Sequence, residues 1–63
     1  MDRYVWTVKI MGEQGQVSVV AEDVRVAIDL GLHEWTQRLS RGVVEAYEVA
    51  WVTRSQRISA VQA

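Results

Sequence analysis

The sequence predicts a two-layer α+β domain, one amphipathic helix packed on a three- or four-stranded antiparallel sheet in the order ββαβ or ββαββ. Three observations carry this. A single segment, Asp23 to Gly42, has the apolar period of a helix. The residues before it alternate apolar and polar in two runs separated by a turn with glycine at both ends. The residues after it, Val43 to Thr53, form a third run rich in β-branched and aromatic side chains.

The first strand is expected over Arg3 to Met11, with Tyr4, Trp6, Val8 and Ile10 on one face and Val5, Thr7 and Lys9 on the other. Gly12-Glu13-Gln14-Gly15 supplies the hairpin loop. The second strand follows over Gln16 to Ala21, with Val17, Val19 and Ala21 inward and Ser18 and Val20 outward. Asp23 is the expected N-cap of the helix, because its carboxylate can accept unpaired N–H groups of the first turn. Val24, Ala27, Ile28, Gly31, Leu32, Trp35 and Leu39 form its inner face. Arg38 and Arg41 suit the negative end of its dipole, and Gly42 suits a left-handed residue closing it.

Gly31 breaks the inner face at a cost of about 1 kcal/mol relative to alanine, which predicts close approach to a large side chain opposite, Trp6 or Trp51. Val26 and Leu30 make an apolar bump beside His33 on the outer face, where a solvated helix is polar. In the third strand Val43, Tyr47, Val49 and Trp51 are expected inward, and Val44, Ala46, Glu48, Ala50 and Val52 outward. Arg54-Ser55-Gln56 reads as a turn, with Arg57 to Val61 as a short edge strand or a frayed end. The first strand has the richest inner face and belongs in the middle, which gives the order 2-1-3 or 2-1-3-4.

A chain of 63 residues makes one domain, spanning 1–63, near the lower limit of size for folding alone. It has no cysteine, hence neither disulfides nor thiolate metal ligands, and no proline. No apolar run approaches the ~20 residues that cross a bilayer, and Met1-Asp2-Arg3 lacks the character of a secretory leader, so a cytoplasmic protein is expected. The formal net charge is −1, but it is uneven. Three cations stand against six anions through Trp35, and four arginines against two glutamates after it.

The side chains that carry chemistry are sparse and scattered. His33 is the only histidine, and no second one stands at zinc-protease spacing, so it reads as a surface residue near Asp29. No nucleophile elbow is present. Asp29 and Glu34 fall on different helix faces, and Glu45 and Glu48 on different strand faces, which separates any general acid from a general base. A non-enzymatic protein without cofactor or metal is expected. Gly12-x-x-Gly15 has the spacing of a nucleotide-clamping loop, but it joins strands rather than helices and reads as a turn. Trp6, Tyr47 and Trp51 would make a base-stacking platform if they faced solvent, and the layer argument instead assigns them to the core. Arg38, Arg41, Arg54 and Arg57 remain as an alternative, arginine-lined nucleic-acid edge.

The run V-S-V-V-A-E-D-V-R-V-A-I-D-L-G (Val17–Gly31) resembles a stretch of many small phage and prophage proteins. In them a β-hairpin leads through an A-E-D-like cap into a helix with A-I on its inner face, followed by a returning strand. The resemblance is one of pattern and extends over roughly two-thirds of the chain. It implies an accessory protein of a mobile element, of the anti-CRISPR or host-takeover kind, that binds and blocks a host protein in the host cytoplasm. The bare sheet face points the same way. Val5, Val20, Ala50 and Val52 on the face away from the helix, together with Val26 and Leu30, form the expected protein-interaction surface, toward another protein or a second copy meeting the open face or an edge strand.

Overall fold

The computed structural model describes residues 2–58 and has the expected α+β architecture. β1 (Arg3–Ile10) and β2 (Val17–Ala21) form an antiparallel hairpin, α1 (Val24–Leu39) crosses the sheet, and β3 (Val49–Ile58) returns antiparallel to β1. The strand order is β2-β1-β3, with β1 in the middle. Positive φ at Gly12 and Gly15, the two glycines that bound the hairpin loop, gives the chain its reversal without Cβ strain.

The sheet buries the face that alternation assigns to β1 and β2. Trp6, Val8 and Ile10 of β1 and Val17, Val19 and Ala21 of β2 meet Ala27 and Trp35 of α1. Both buried indoles also make a hydrogen bond that fixes their orientation. Trp6 Nε1 donates to the Ala21 carbonyl at 2.9 Å, and Trp35 Nε1 donates to the Val8 carbonyl at 3.0 Å. Each satisfies a polar group that would otherwise be costly to bury. Gly31 packs on Val8 rather than on a tryptophan, and a Cβ built on it would lie 2.6 Å from Val8 Cγ2. Val24, in the first helical turn, is exposed instead of buried.

At its start α1 follows the sequence, with Asp23 Oδ1 accepting the Val26 N–H at 3.1 Å. Its end comes sooner than Gly42. Ser40 takes the left-handed conformation at φ 57°, and its N–H reaches the Thr36 carbonyl at 3.4 Å. One turn of side chains explains the early stop: Thr36 Oγ1 accepts the Val44 N–H at 2.9 Å, drawing the chain back onto the helix. Because Ser40 holds a positive φ, glycine is the better residue there. Ser40→Gly is expected to raise stability by less than about 1 kcal/mol, because relief of ~1–2 kcal/mol of left-handed strain is partly offset by glycine's extra freedom in the unfolded chain, read as an increased denaturant midpoint at unchanged slope.

The last third of the chain departs most from expectation. Val43 to Glu45 is not strand, and a 3-10 turn occupies Ala46–Glu48. Glu48 locks this turn: its Oε2 accepts the Glu45 N–H at 3.0 Å, and its own carbonyl accepts the Met11 N–H at 2.8 Å. Several inner and outer positions differ from the expected alternation, at Val43, Val44 and Tyr47 because the segment is not strand, and at Trp51 and Val52 because of a register irregularity at Ala50. Val44 is 2% exposed and joins the core, whereas Val43 is 70% and Tyr47 79% exposed. Trp51 lies opposite Lys9 on the open face at 42% exposure, and Val52 lies opposite Val8, half-buried against the core. Arg54-Ser55-Gln56 is no turn. β3 continues through it to pair Ile58 with Arg3, and the local excess of chain is taken up as an irregularity where Ser55 Oγ donates to the Val5 carbonyl at 3.0 Å. Of the sequence's final edge strand, Arg57 and Ile58 belong to β3, and 59–63 lie outside the described residues.

Candidate protein-interaction surface

The antiparallel register sets Val5 of β1 directly opposite Val20 of β2 on the face that α1 does not cover. Val20 is 44% exposed, and the smaller exposure of Val5 follows from its place on the central strand. Beyond Val20 the surface turns toward the beginning of α1. A shallow groove there is lined by Arg3, Val20, Ala21, Glu22 and Val26, so Val26 on the helix shares a surface with the sheet. Leu30 stands one helical turn further on, 41% exposed. The open face and the helix bump are two features in the sequence; in the fold they run into one band, Val5–Val20–Val26–Leu30, at the end of the sheet where β2 gives way to the helix.

Two expected members fall elsewhere. Val52 is on the helix side of β3, packed against the core, because the register irregularity at Ala50, between the Ile10–Val49 and Lys9–Trp51 pairs, reverses the alternation of β3, and it is removed from the open face. Ala50 is exposed but sits at the register shift between Lys9 and Ile10, on the opposite edge of the sheet from β2. Trp51 takes the place on the open face that Val52 was expected to hold. Its signal was present in the sequence as a bulky aromatic within a strand, but its parity depended on the irregularity at Ala50.

The four arginines separate into two pairs. Arg38 donates to the Gln16 carbonyl at 3.3 Å with its guanidinium 5.4 Å from the Trp35 ring centre, and Arg41 bridges Glu48 at 2.7 Å. Both lie toward the hairpin-loop end of β1. Arg54 stacks on Tyr4 at 4.5 Å, and Arg57 meets Asp2 at 3.1 Å, toward the amino end of β1. Each guanidinium thus has an intramolecular contact, and they do not line one edge. The aromatic trio is divided as well. Trp6 is buried, while Tyr47 and Trp51 face water.

Within the Arg41–Glu48 pair, the Glu45 backbone N–H and then the Arg41 guanidinium hold the Glu48 carboxyl below the usual carboxylate value, and Glu48 holds Arg41 above its own. Both groups are open to solvent, so the pair orders the turn more than it stabilises the fold. His33 lies against Gln37 at 3.1 Å rather than against Asp29. Among the described residues no three His, Asp or Glu side chains gather as a metal-ligating group, and no helix is long and apolar enough to cross a membrane.

Comparison of the chain with protein-family models, with curated proteins and with solved structures gives no match.

Proposed function

We propose that this chain is a small non-enzymatic protein-interaction module, of the mobile-element accessory kind, which binds and blocks a host protein in the cytoplasm. The observation that carries the reading is the band Val5–Val20–Val26–Leu30, in which apolar side chains from two strands and a helix lie side by side at the surface. An apolar patch that continues across elements, rimmed by charged groups such as Arg3 and Glu22, is the mark of a contact site. Val20, Val26 and Leu30 also all lie within Val17–Gly31, the run that resembles small phage and prophage proteins. The outer edge of β2 adds backbone groups that an approaching strand can pair.

The test compares Val20→Glu and Leu30→Glu with Thr53→Glu, an exposed change on the opposite edge. All three positions are exposed, so folding stability is expected to shift by no more than about 0.5 kcal/mol. The tagged wild-type chain is expected to retain a stoichiometric protein from cells that carry its gene. Val20→Glu and Leu30→Glu are expected to weaken that complex at least tenfold, and Thr53→Glu to leave it intact. Retention of the same protein by all three variants would remove the band as the contact site.

A further inference from the structure

We propose that the open face of the sheet is a second binding surface, on which a single-stranded nucleic acid lies along β1 with a base stacked on Trp51. The charges of the chain are sorted by layer. The three strands carry Arg3, Lys9, Arg54 and Arg57 and no acidic residue, while all eight acidic side chains lie outside them, against three arginines. Asp29 and Glu34 stand on the exposed outer side of α1, a helix diameter of about 10 Å beyond the sheet. That exceeds the Debye length of about 8 Å at physiological salt, so they repel an anion on the open face only weakly. The net charge of −1 thus conceals a sheet of the opposite sign.

The side chains on the face select the occupant. The register puts Trp51 opposite Lys9, and Ser18 and Thr53 on either side of Thr7, beside the Val5–Val20 pair. Lys9 gives two of its ammonium N–H groups to the carbonyls of Glu13 and Gly15. Both acceptors are neutral, so the full charge remains and the third N–H is free for a phosphate oxygen. Arg3 is exposed at the other end of β1, roughly 20 Å away at ~3.3 Å per residue. The ion pairs among the described residues, Arg41–Glu48 and Arg57–Asp2, draw on neither cation. A single strand uses all of these groups: phosphates meet the cations, a base meets the indole, and the hydroxyls are hydrogen-bond partners between them. An acidic protein segment would use the cations alone and leave Trp51 without a role.

This face is not the arginine edge, which the fold divides. It meets the protein-interaction band at Val5 and Val20, but Trp51 belongs to the face alone and Leu30 to the band alone. The two readings are therefore separable by experiment.

The probe is a fluorescein-labelled oligo(dT) of about twelve nucleotides, followed by anisotropy. Micromolar binding is expected at about 20 mM salt. Two phosphate contacts, through Arg3 and Lys9, give a slope of about −1.4 in log K against log salt, or roughly 25-fold weaker binding for a tenfold rise in salt. Arg3→Ala is expected to reduce that slope by ~0.7, and Arg25→Ala, the same loss of charge on α1, to leave it unchanged. Trp51→Ala is expected to weaken binding at least fivefold and Trp51→Phe, which keeps a ring to stack on, by less than twofold. Glu22 shares the groove with Arg3, so Glu22→Gln is expected to strengthen binding. The same sequence in duplex form, with its bases unavailable, and poly-glutamate of equal charge are each expected to bind at least tenfold more weakly. No binding at low salt, an unchanged affinity in Trp51→Ala, or equal binding of poly-glutamate would each overturn the proposal. Leu30→Glu is expected to release the protein partner and keep the oligonucleotide, and Trp51→Ala to do the reverse. A chain that retains its protein partner through Leu30 and binds no oligonucleotide would overturn this inference while leaving the functional reading in place.

Discussion

Gly31→Ala is expected to destabilise the protein, although alanine is the better helix former by about 1 kcal/mol. The added methyl would sit 2.6 Å from Val8 Cγ2, 2.8 Å from Val8 Cβ and 2.9 Å from Val8 Cγ1. Val8 cannot move aside. It is fully buried on the central strand, its carbonyl is held by Trp35 Nε1, and a β-branched side chain has little freedom at χ1. Since Cβ itself is too close, no rotamer of valine relieves the overlap, and the helix must lift from the sheet. Overfilling a close-packed core costs about 1–3 kcal/mol, which outweighs the gain in propensity. The expected net loss is about 1–2 kcal/mol, or roughly 4–8 °C in Tm per kcal/mol for a domain of this size. In a Val8→Ala background the two methyl contacts vanish, so the same change is expected to cost less there, and a double-mutant cycle measures that coupling. An increase in Tm for Gly31→Ala alone would mean that the helix does not approach β1 this closely.

The glycine also shows what the sequence could and could not convey. Its place on the apolar face announced a close approach, but not that the opposing residue is Val8 instead of a tryptophan. Alternation in β1 and β2 assigned Trp6, Val8, Ile10, Val17, Val19 and Ala21 correctly to the core, because both strands are uninterrupted and share one face. The Asp23 cap and the positions of Ala27, Gly31 and Trp35 were equally legible from the helical period. Past Leu39 the reading fails for a physical reason. Alternation gives the face of every second residue only if the count begins in the right place. The Thr36 hydroxyl on the Val44 N–H, the left-handed Ser40 and the turn closed by Glu48 displace Val44, and the register irregularity at Ala50 reverses the count between Val49 and Trp51, with no apolar residue to mark either change. Val44 and Val52 therefore go inside, and Trp51 comes out. For the candidate surface, Val5, Val20, Val26 and Leu30 were identifiable singly as apolar residues on polar faces. Their union needed the third dimension, since the groove that joins Val20 to Val26 depends on how α1 leaves the end of β2.

Trp35→Ala is expected to leave the chain largely unfolded. The indole is 1% exposed, is the largest fully buried side chain, and ties α1 to the middle of β1 through its bond to the Val8 carbonyl. Truncating a buried tryptophan costs about 3–5 kcal/mol before the lost hydrogen bond is counted. At ~0.05–0.15 kcal/mol per residue, a domain of this length has roughly 3–9 kcal/mol in total, so this one side chain accounts for much of the margin. Trp35→Phe separates the two contributions. It keeps most of the apolar volume and leaves the Val8 carbonyl without its donor, for an expected loss of about 1–3 kcal/mol. Trp51 provides the contrast, since it is half in water on the open face and its removal is expected to cost less than about 1 kcal/mol. Denaturant midpoints for the three variants therefore order as Trp51→Ala above Trp35→Phe above Trp35→Ala. Were Trp51→Ala to cost as much as Trp35→Ala, the open face would have to be a second buried layer. The helix would then share the sheet with another element packed on Trp51, and the Val5–Val20 surface would be closed to partners.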